Sequence, residues 1–226
     1  MNDIYKQAGK AALISIIWAA ILIVIEWLEP GDSWSVFGVY PRYTKSLLGI
    51  ITYPFIHGDA MDHLASNLGS LIPLSFSLYF FYPKLFWRVV AGVHVFSGIW
   101  VWVAARPSWH IGASGVIFGM AFFLIMSGWF RRKTDAAAAV VGLLAVFFNG
   151  SVFLGALPWF NPPHVSWEGH FFGSVAGILL AFYYRKHYLP PPPVDNSRFS
   201  PYIPDQFWDY KTHQPPPPGL KHKDSD

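Results

Sequence analysis

Gly112-Ala113-Ser114-Gly115-Val116-Ile117-Phe118-Gly119-Met120-Ala121-Phe122-Phe123-Leu124-Ile125-Met126-Ser127-Gly128-Trp129-Phe130 carries no charge, and Arg131-Arg132-Lys133 follows it directly. Roughly 20 mostly apolar residues carry a helix across the hydrocarbon core of a bilayer, so this segment reads as a membrane span. The basic triplet marks its cytoplasmic end, because short cytoplasmic loops are enriched in lysine and arginine. Five further segments read the same way: Ala11–Leu28, Met61–Phe81, Val89–Ala104, Ala136–Leu157 and Gly169–Tyr184. The expectation is an all-α membrane protein built as a bundle of six transmembrane helices.

Composition agrees. Of the 226 residues 53% are hydrophobic and only 13% charged, against about 25% charged in a typical soluble domain. With no cysteine, disulfides, thiolate nucleophiles and cysteine-ligated metals are excluded. The basic residues are scattered between apolar segments, which argues against a nucleic-acid partner and for a lipid bilayer. No pattern calls for a metal or other cofactor.

Loop charge sets the orientation. Lys6, Lys10, Lys84, Arg88, Arg131, Arg132, Lys133, Arg185 and Lys186 fall on one side, and Arg42, Lys45 and Arg106 on the other. That bias places both termini in the cytoplasm. Glu26-Trp27-Leu28-Glu29-Pro30 after the first span is no small-residue cleavage site, so the first span reads as an uncleaved helix. Three parts follow: a cytoplasmic segment 1–10, a six-helix domain 11–186, and a proline-rich tail 187–226 with Pro190–Pro193 and Pro215–Pro218. Proline runs cannot build a core, so the tail reads as disordered or as a docking segment. The connection Glu29–Ile56 is rich in aromatics, among them Trp34, Phe37, Tyr40, Tyr43, Tyr53 and Phe55, and reads as lying partly in the bilayer interface.

Three polar groups open apolar spans where hydrocarbon penalises them. His63 and Asn67, Ser114, and His170 fall in the first turns of spans two, four and six, which all run inward. Topology therefore brings them to one depth below the outer surface. Serine is a weak nucleophile until a base takes its proton, and imidazole is the usual base near neutral pH. Among the competing histidines, His94 reads as too close to the cytoplasmic end of span three, His110 and His164 lie in external loops, and His57 precedes span two. His170 shares a face with Gly173 and Gly177, while span four offers Gly115 and Gly119. Small residues on facing helices permit close approach, which would bring His170 to Ser114. His63 and Asn67, spaced i and i+4, and the Ser114 amide at a helix start are candidate donors for an oxyanion. No acidic third member is evident. Glu168 would face away from the site, which leaves the imidazole to be oriented by packing.

The same residues admit blander readings: Gly-x-Ser-Gly as a helix-packing motif, and His63 and Asn67 as interhelical glue. At the level of the whole protein the rivals are a non-catalytic client-binding membrane protein, a transporter or proton channel, and a scaffold acting through its tail. No span carries a central carboxylate, which weighs against the channel.

The combination resembles the rhomboid family of intramembrane serine proteases over residues 11–186. Gly112-Ala113-Ser114-Gly115 is similar to its Gly-x-Ser-Gly motif, which implies Ser114 as nucleophile. His170-Phe171-Phe172-Gly173 with Gly177 is similar to its His-x-x-Gly-x-x-x-Gly, which implies His170 as base. His63-Leu64-Ala65-Ser66-Asn67 is similar to its His-x-x-x-Asn, which implies oxyanion stabilisation. Phe118 falls where the family commonly packs an aromatic on the imidazole. The resemblance implies cleavage of transmembrane protein substrates near the outer end of a transmembrane segment, at small residues. It does not imply an oligomeric state. Loop charge points to a plasma or inner membrane, and the loop Pro158–Trp167, with its prolines and nearby Gly155, reads as a cap. Two departures stand out. His57 lies six residues before His63, one more than the family spacing, and alignment on His57 would put Asp62 and Ser66 at the oxyanion positions. The Trp-Arg pair usual in the first external loop is replaced by Ser46-Leu47-Leu48-Gly49, with Arg42 the candidate substitute.

Overall fold

The computed structural model describes residues 2–29, 33–58, 63–132, 137, 140, 141, 144, 154–162 and 165–188. Most of the expected fifth span, His164 and the tail beyond 188 lie outside these residues. The described chain is helical. Helix α1 is Asn2–Leu28, α2 is the short Gly49–Thr52, α3 is Ala65–Phe81, α4 is Phe86–Ala104, α5 is Ser114–Arg131 and α6 is Trp167–Tyr188. Single 3-10 turns at Ser33–Phe37, Thr44–Ser46 and Tyr53–Phe55 shape the external connection, and another lies at Pro158–Phe160. Three helical stretches are long and apolar enough to cross a membrane: Asp3–Leu28, Phe86–Ala104 and Ser114–Arg131. The 17-residue α3 is slightly shorter, and α6 carries Glu168, His170, Arg185 and Lys186.

Several boundaries differ from the sequence reading: α4 begins at Phe86, and α6 runs from Trp167 to Tyr188. α1 extends back through Lys10 and Lys6 to Asn2, since nothing in 2–10 breaks a helix. α3 begins at Ala65, after a π-helical turn at His63 and Leu64.

α5 sits at the centre. Gly115, Val116, Ile117, Gly119, Met120, Phe123 and Leu124 are among its buried residues. α1, by contrast, turns Leu13, Ile16, Ile17, Ile23 and Val24 outward, as expected for a helix whose solvent is lipid. It is fastened to α3 by the buried Ser75 hydroxyl, which donates to Ser15 at 2.8 Å.

Backbone contact between α5 and α6 fixes the rest. A Cβ added at Gly173 would overlap the Gly115 carbonyl, and one at Gly177 would overlap the Gly119 carbonyl. Gly119 in turn leaves room for Val93 of α4, and Gly92 of α4 for Leu180 of α6. The two glycine pairs interlock as their spacing predicts. Overpacking a close contact of this kind costs about 1–3 kcal/mol. Gly173→Ala should therefore lower the unfolding temperature in detergent measurably. Gly9→Ala, with open space around the new methyl, should not.

The connection between α1 and α3 lies against α4 instead of hanging free. Arg42, in a left-handed conformation with φ 59°, donates its backbone N–H to the Trp102 carbonyl at 2.9 Å and Nη1 to the Val103 carbonyl at 3.0 Å. These carbonyls belong to the last turn of α4, which has no helical donors for them. Trp102 reciprocates by donating Nε1 to the Tyr43 carbonyl at 3.1 Å. A tryptophan and an arginine do hold the loop, one from the helix and one from the loop. The buried Ser46 hydroxyl accepts the Tyr40 N–H at 3.1 Å and stitches the turn. His94 Nε2 donates to the Ile50 carbonyl at 3.0 Å. His94 is thus in the middle of α4, in contact with the segment 49–55, and farther from the Phe86 end than its sequence position suggested.

Candidate active site

Ser114 opens α5, and the turn before it is built for close approach. Gly112 has φ +103°, a conformation that excludes side chains. A Cβ there would strike the His63 ring and come within 3.5 Å of Asn67 Nδ2. The Gly112 N–H is fixed by the Tyr53 carbonyl at 2.8 Å.

His170, in the first turn of α6, meets Ser114 across the glycine contact. Its Nε2 lies 2.9 Å from Ser114 Oγ, and its Nδ1 lies 2.8 Å from the Gly155 carbonyl oxygen. A carbonyl only accepts, so Nδ1 carries the proton. Nε2 therefore presents a lone pair to the serine hydroxyl, the arrangement in which an imidazole can take that proton. Phe118 stacks on the ring, with centroids 4.1 Å apart and planes within 11°. The imidazole is oriented by packing, as expected, and also by a carbonyl that residue types could not announce. The Gly155 carbonyl accepts the Asn161 side-chain amide as well, at 2.9 Å. Gly155 has little room: a Cβ would press on Phe118.

On the other side of Ser114, Asn67 is buried and its Nδ2 has no hydrogen-bond partner. A buried donor left unpaired is costly. His63 Nδ1 donates to the His57 carbonyl at 2.6 Å. Neutral His63 consequently offers a lone pair at Nε2, and donates from Nε2 only as imidazolium. Asn67 is the standing donor of the pair.

His57 has a definite place despite its irregular spacing. It is buried and accepts the Ala113 N–H on Nε2 at 3.4 Å, while its carbonyl holds His63. It brackets the Gly112 turn and the His63 ring together. Among the other described histidines, His94 is tied to Ile50, His110 to Ser166, and His187 packs on Tyr184 at the end of α6. Glu168 pairs with Arg106 at 3.4 Å and makes no hydrogen bond to His170.

A family model, the rhomboid domain, matches residues 44–187. The chain belongs to the rhomboid family. It is 33% identical over 176 residues to an uncharacterized protein of Mycobacterium tuberculosis, covering 74% of this chain and 72% of that one. An uncharacterized protein of Mycobacterium leprae is 31% identical over 177 residues, covering 74% and 68%. A protein of Acanthamoeba polyphaga mimivirus named as a rhomboid protein is 28% identical over 146 residues, covering 58% and 74%. With its apolar helices, this rhomboid is an integral membrane protein. The family match begins within the external connection and ends with α6, so it spans every residue of the site.

Burial first, and the nearby His63 second, push the His57 pKa from 6.5 down to about 3. The folded protein thus keeps His57 neutral where the unfolded chain would take up a proton. His57 contributes stability that is present above about pH 6.5 and is lost as pH falls toward 3. His57→Gln keeps an acceptor for Ala113 but cannot titrate. Its unfolding temperature in detergent should fall less steeply than wild type over that interval.

Proposed function

We propose that this rhomboid is an intramembrane serine endopeptidase that cleaves transmembrane proteins near the outer face of the membrane. The observation that carries the reading is the 2.9 Å approach of His170 Nε2 to Ser114 Oγ, with Nδ1 held by the Gly155 carbonyl.

His170 takes the Ser114 proton as Oγ attacks the scissile carbonyl carbon. The carbonyl oxygen gains negative charge and moves toward Asn67 Nδ2 and the free N–H groups at the start of α5. His63 joins them when its Nε2 carries a proton. The C–N bond then breaks as His170 passes the proton to the departing amine. Water, deprotonated by the same imidazole, cleaves the acyl ester and restores Ser114. A helical substrate hides its carbonyls, so the substrate must unwind locally before attack. Gly112, Gly115, Gly173 and Gly177 act as spacers, and Phe118 holds the ring. The reaction needs no metal or other cofactor.

The reading includes six spans over residues 11–186, with the segment 1–10 and the tail 187–226 on the cytoplasmic side. The site opens outward from a plasma or inner membrane, beneath the Pro158–Trp167 loop.

Cleavage of a single-span substrate in proteoliposomes tests it. Wild type should cut, and both Ser114→Ala and His170→Ala should not. Removing one oxyanion donor costs about 10²–10³ in kcat, so Asn67→Ala should lose activity in that range. Well-folded wild type that cuts none of several substrates would favour the client-binding alternative. Cleavage that survives Ser114→Ala would remove the serine from the mechanism.

A further inference from the structure

A second serine–histidine pair joins the same two segments. His110 Nδ1 lies 2.6 Å from Ser166 Oγ, and His110 Nε2 lies 3.1 Å from the Arg106 carbonyl oxygen. His110 is four residues before Ser114, and Ser166 is four residues before His170. The separation of 56 residues is identical in the two pairs, with histidine and serine exchanged. The hydrogen bonds have a single consistent direction. The Arg106 carbonyl requires a proton on His110 Nε2, so Nδ1 accepts from the Ser166 hydroxyl. Ser166 Oγ also accepts the Gly169 N–H at 3.3 Å, as an N-cap serine does for the third residue of its helix.

A second nucleophile is the obvious reading, and the surroundings oppose it. Beside Ser166 Oγ the nearest free helix N–H, that of Gly169, is already spent on the hydroxyl itself. Among the described residues, the buried amide without a partner is Asn67, which lies against the Gly112 turn. The pair belongs instead to a brace. Arg106 donates its backbone N–H to Glu168 Oε1 at 3.3 Å, approaches the same oxygen with Nε at 3.4 Å, and donates Nη2 to the Val165 carbonyl at 2.5 Å. Residues 106–110 precede the nucleophile's helix, and residues 165–168 precede and open the base's helix. His110 and Glu168 are both buried.

We propose that His110 and Ser166, supported by Arg106 and Glu168, are positioning residues that set the Ser114–His170 distance. The brace fixes the starts of α5 and α6 one turn above the dyad. The glycine contacts fix them one turn below. With both levels held, the two helix starts cannot splay, and Nε2 stays within hydrogen-bond reach of Oγ. This inference rests on the proposed dyad.

The test is the rate at which a small fluorophosphonate probe labels Ser114 in detergent-solubilised full-length protein. The Ser114 oxygen displaces fluoride from phosphorus, His170 takes the proton, and no substrate helix is involved. The rate is normalised to the folded fraction, so loss of stability alone does not change it. A misplacement of about 1 Å can cost about 100-fold. Ser166→Ala should therefore slow labelling by about tenfold to 100-fold, and Ser166→Thr, which restores the hydroxyl, should recover most of it. His110→Phe keeps the ring and removes the acceptor, and decides the matter where Ser166→Ala does not fold. Labelling of either variant at the wild-type rate overturns the brace. Wild type that does not label, or labels equally as Ser114→Ala, overturns the dyad itself.

Discussion

The close approach of α5 and α6 governs the rest of this molecule. Gly173 lies against the Gly115 carbonyl and Gly177 against the Gly119 carbonyl, with no room for a methyl group at either place. In lipid there is no hydrophobic drive to press two apolar helices together, so association depends on packing area and on how near the backbones can come. Four glycines provide that nearness. The same contact carries the first turn of each helix into register, and those turns hold Ser114 and His170. The packing motif and the chemical motif overlap because the reach of an imidazole is short. A helix pair at the usual 8–10 Å separation would leave the hydroxyl and the ring apart.

Much of this was legible in the sequence, for a physical reason. Apolar length follows from the bilayer itself, so the three helices long and apolar enough to cross a membrane lie close to where composition places them. The i, i+4 spacing of glycines, and of His63 and Asn67, survives folding because a helix preserves it. Ser114 and His170 meet, and His63 and Asn67 lie against the Gly112 turn, without any sequence proximity, because each opens a helix of the same bundle. The differences come where these rules do not reach. The external segment 49–55 packs against the middle of α4 and meets His94 there, and nothing in hydropathy marks how deep a loop lies. His57 keeps its place beside His63 despite its spacing, because it acts through its ring on Ala113 and through its carbonyl on His63. Gly155 contributes only a backbone carbonyl, and every residue type has one.

The external connection shows a further limit of motif reading. A tryptophan and an arginine adjacent in sequence are one way to pin such a loop. Here Arg42 comes from the loop and Trp102 from α4, and each hydrogen-bonds the other's segment. The demand satisfied is the same: the last carbonyls of α4 need donors, and the loop needs a fixed register. A motif defined along the chain misses a solution formed across it.

Among the described residues His170 hydrogen-bonds to no carboxylate, and in the geometry on which the proposed reaction depends this has its own logic. Burying an ionised carboxylate in an apolar layer costs several kcal/mol unless it is paired and hydrogen-bonded. The acid nearest in sequence, Glu168, is buried, and Arg106 meets it with both backbone and side chain. Both contacts fall on Oε1, while Oε2 is buried without a hydrogen-bond partner. The Gly155 carbonyl gives His170 what orientation requires, an acceptor for Nδ1–H, without adding net charge at rest. Its dipole still favours a positive ring once Nε2 has taken a proton. A neutral acceptor and a stacked Phe118 are thus the less costly means of holding an imidazole ready at this depth. The consequence is that geometry must do what a buried charge would otherwise do, and tight glycine contacts and a braced pair of helix starts are what such a site needs.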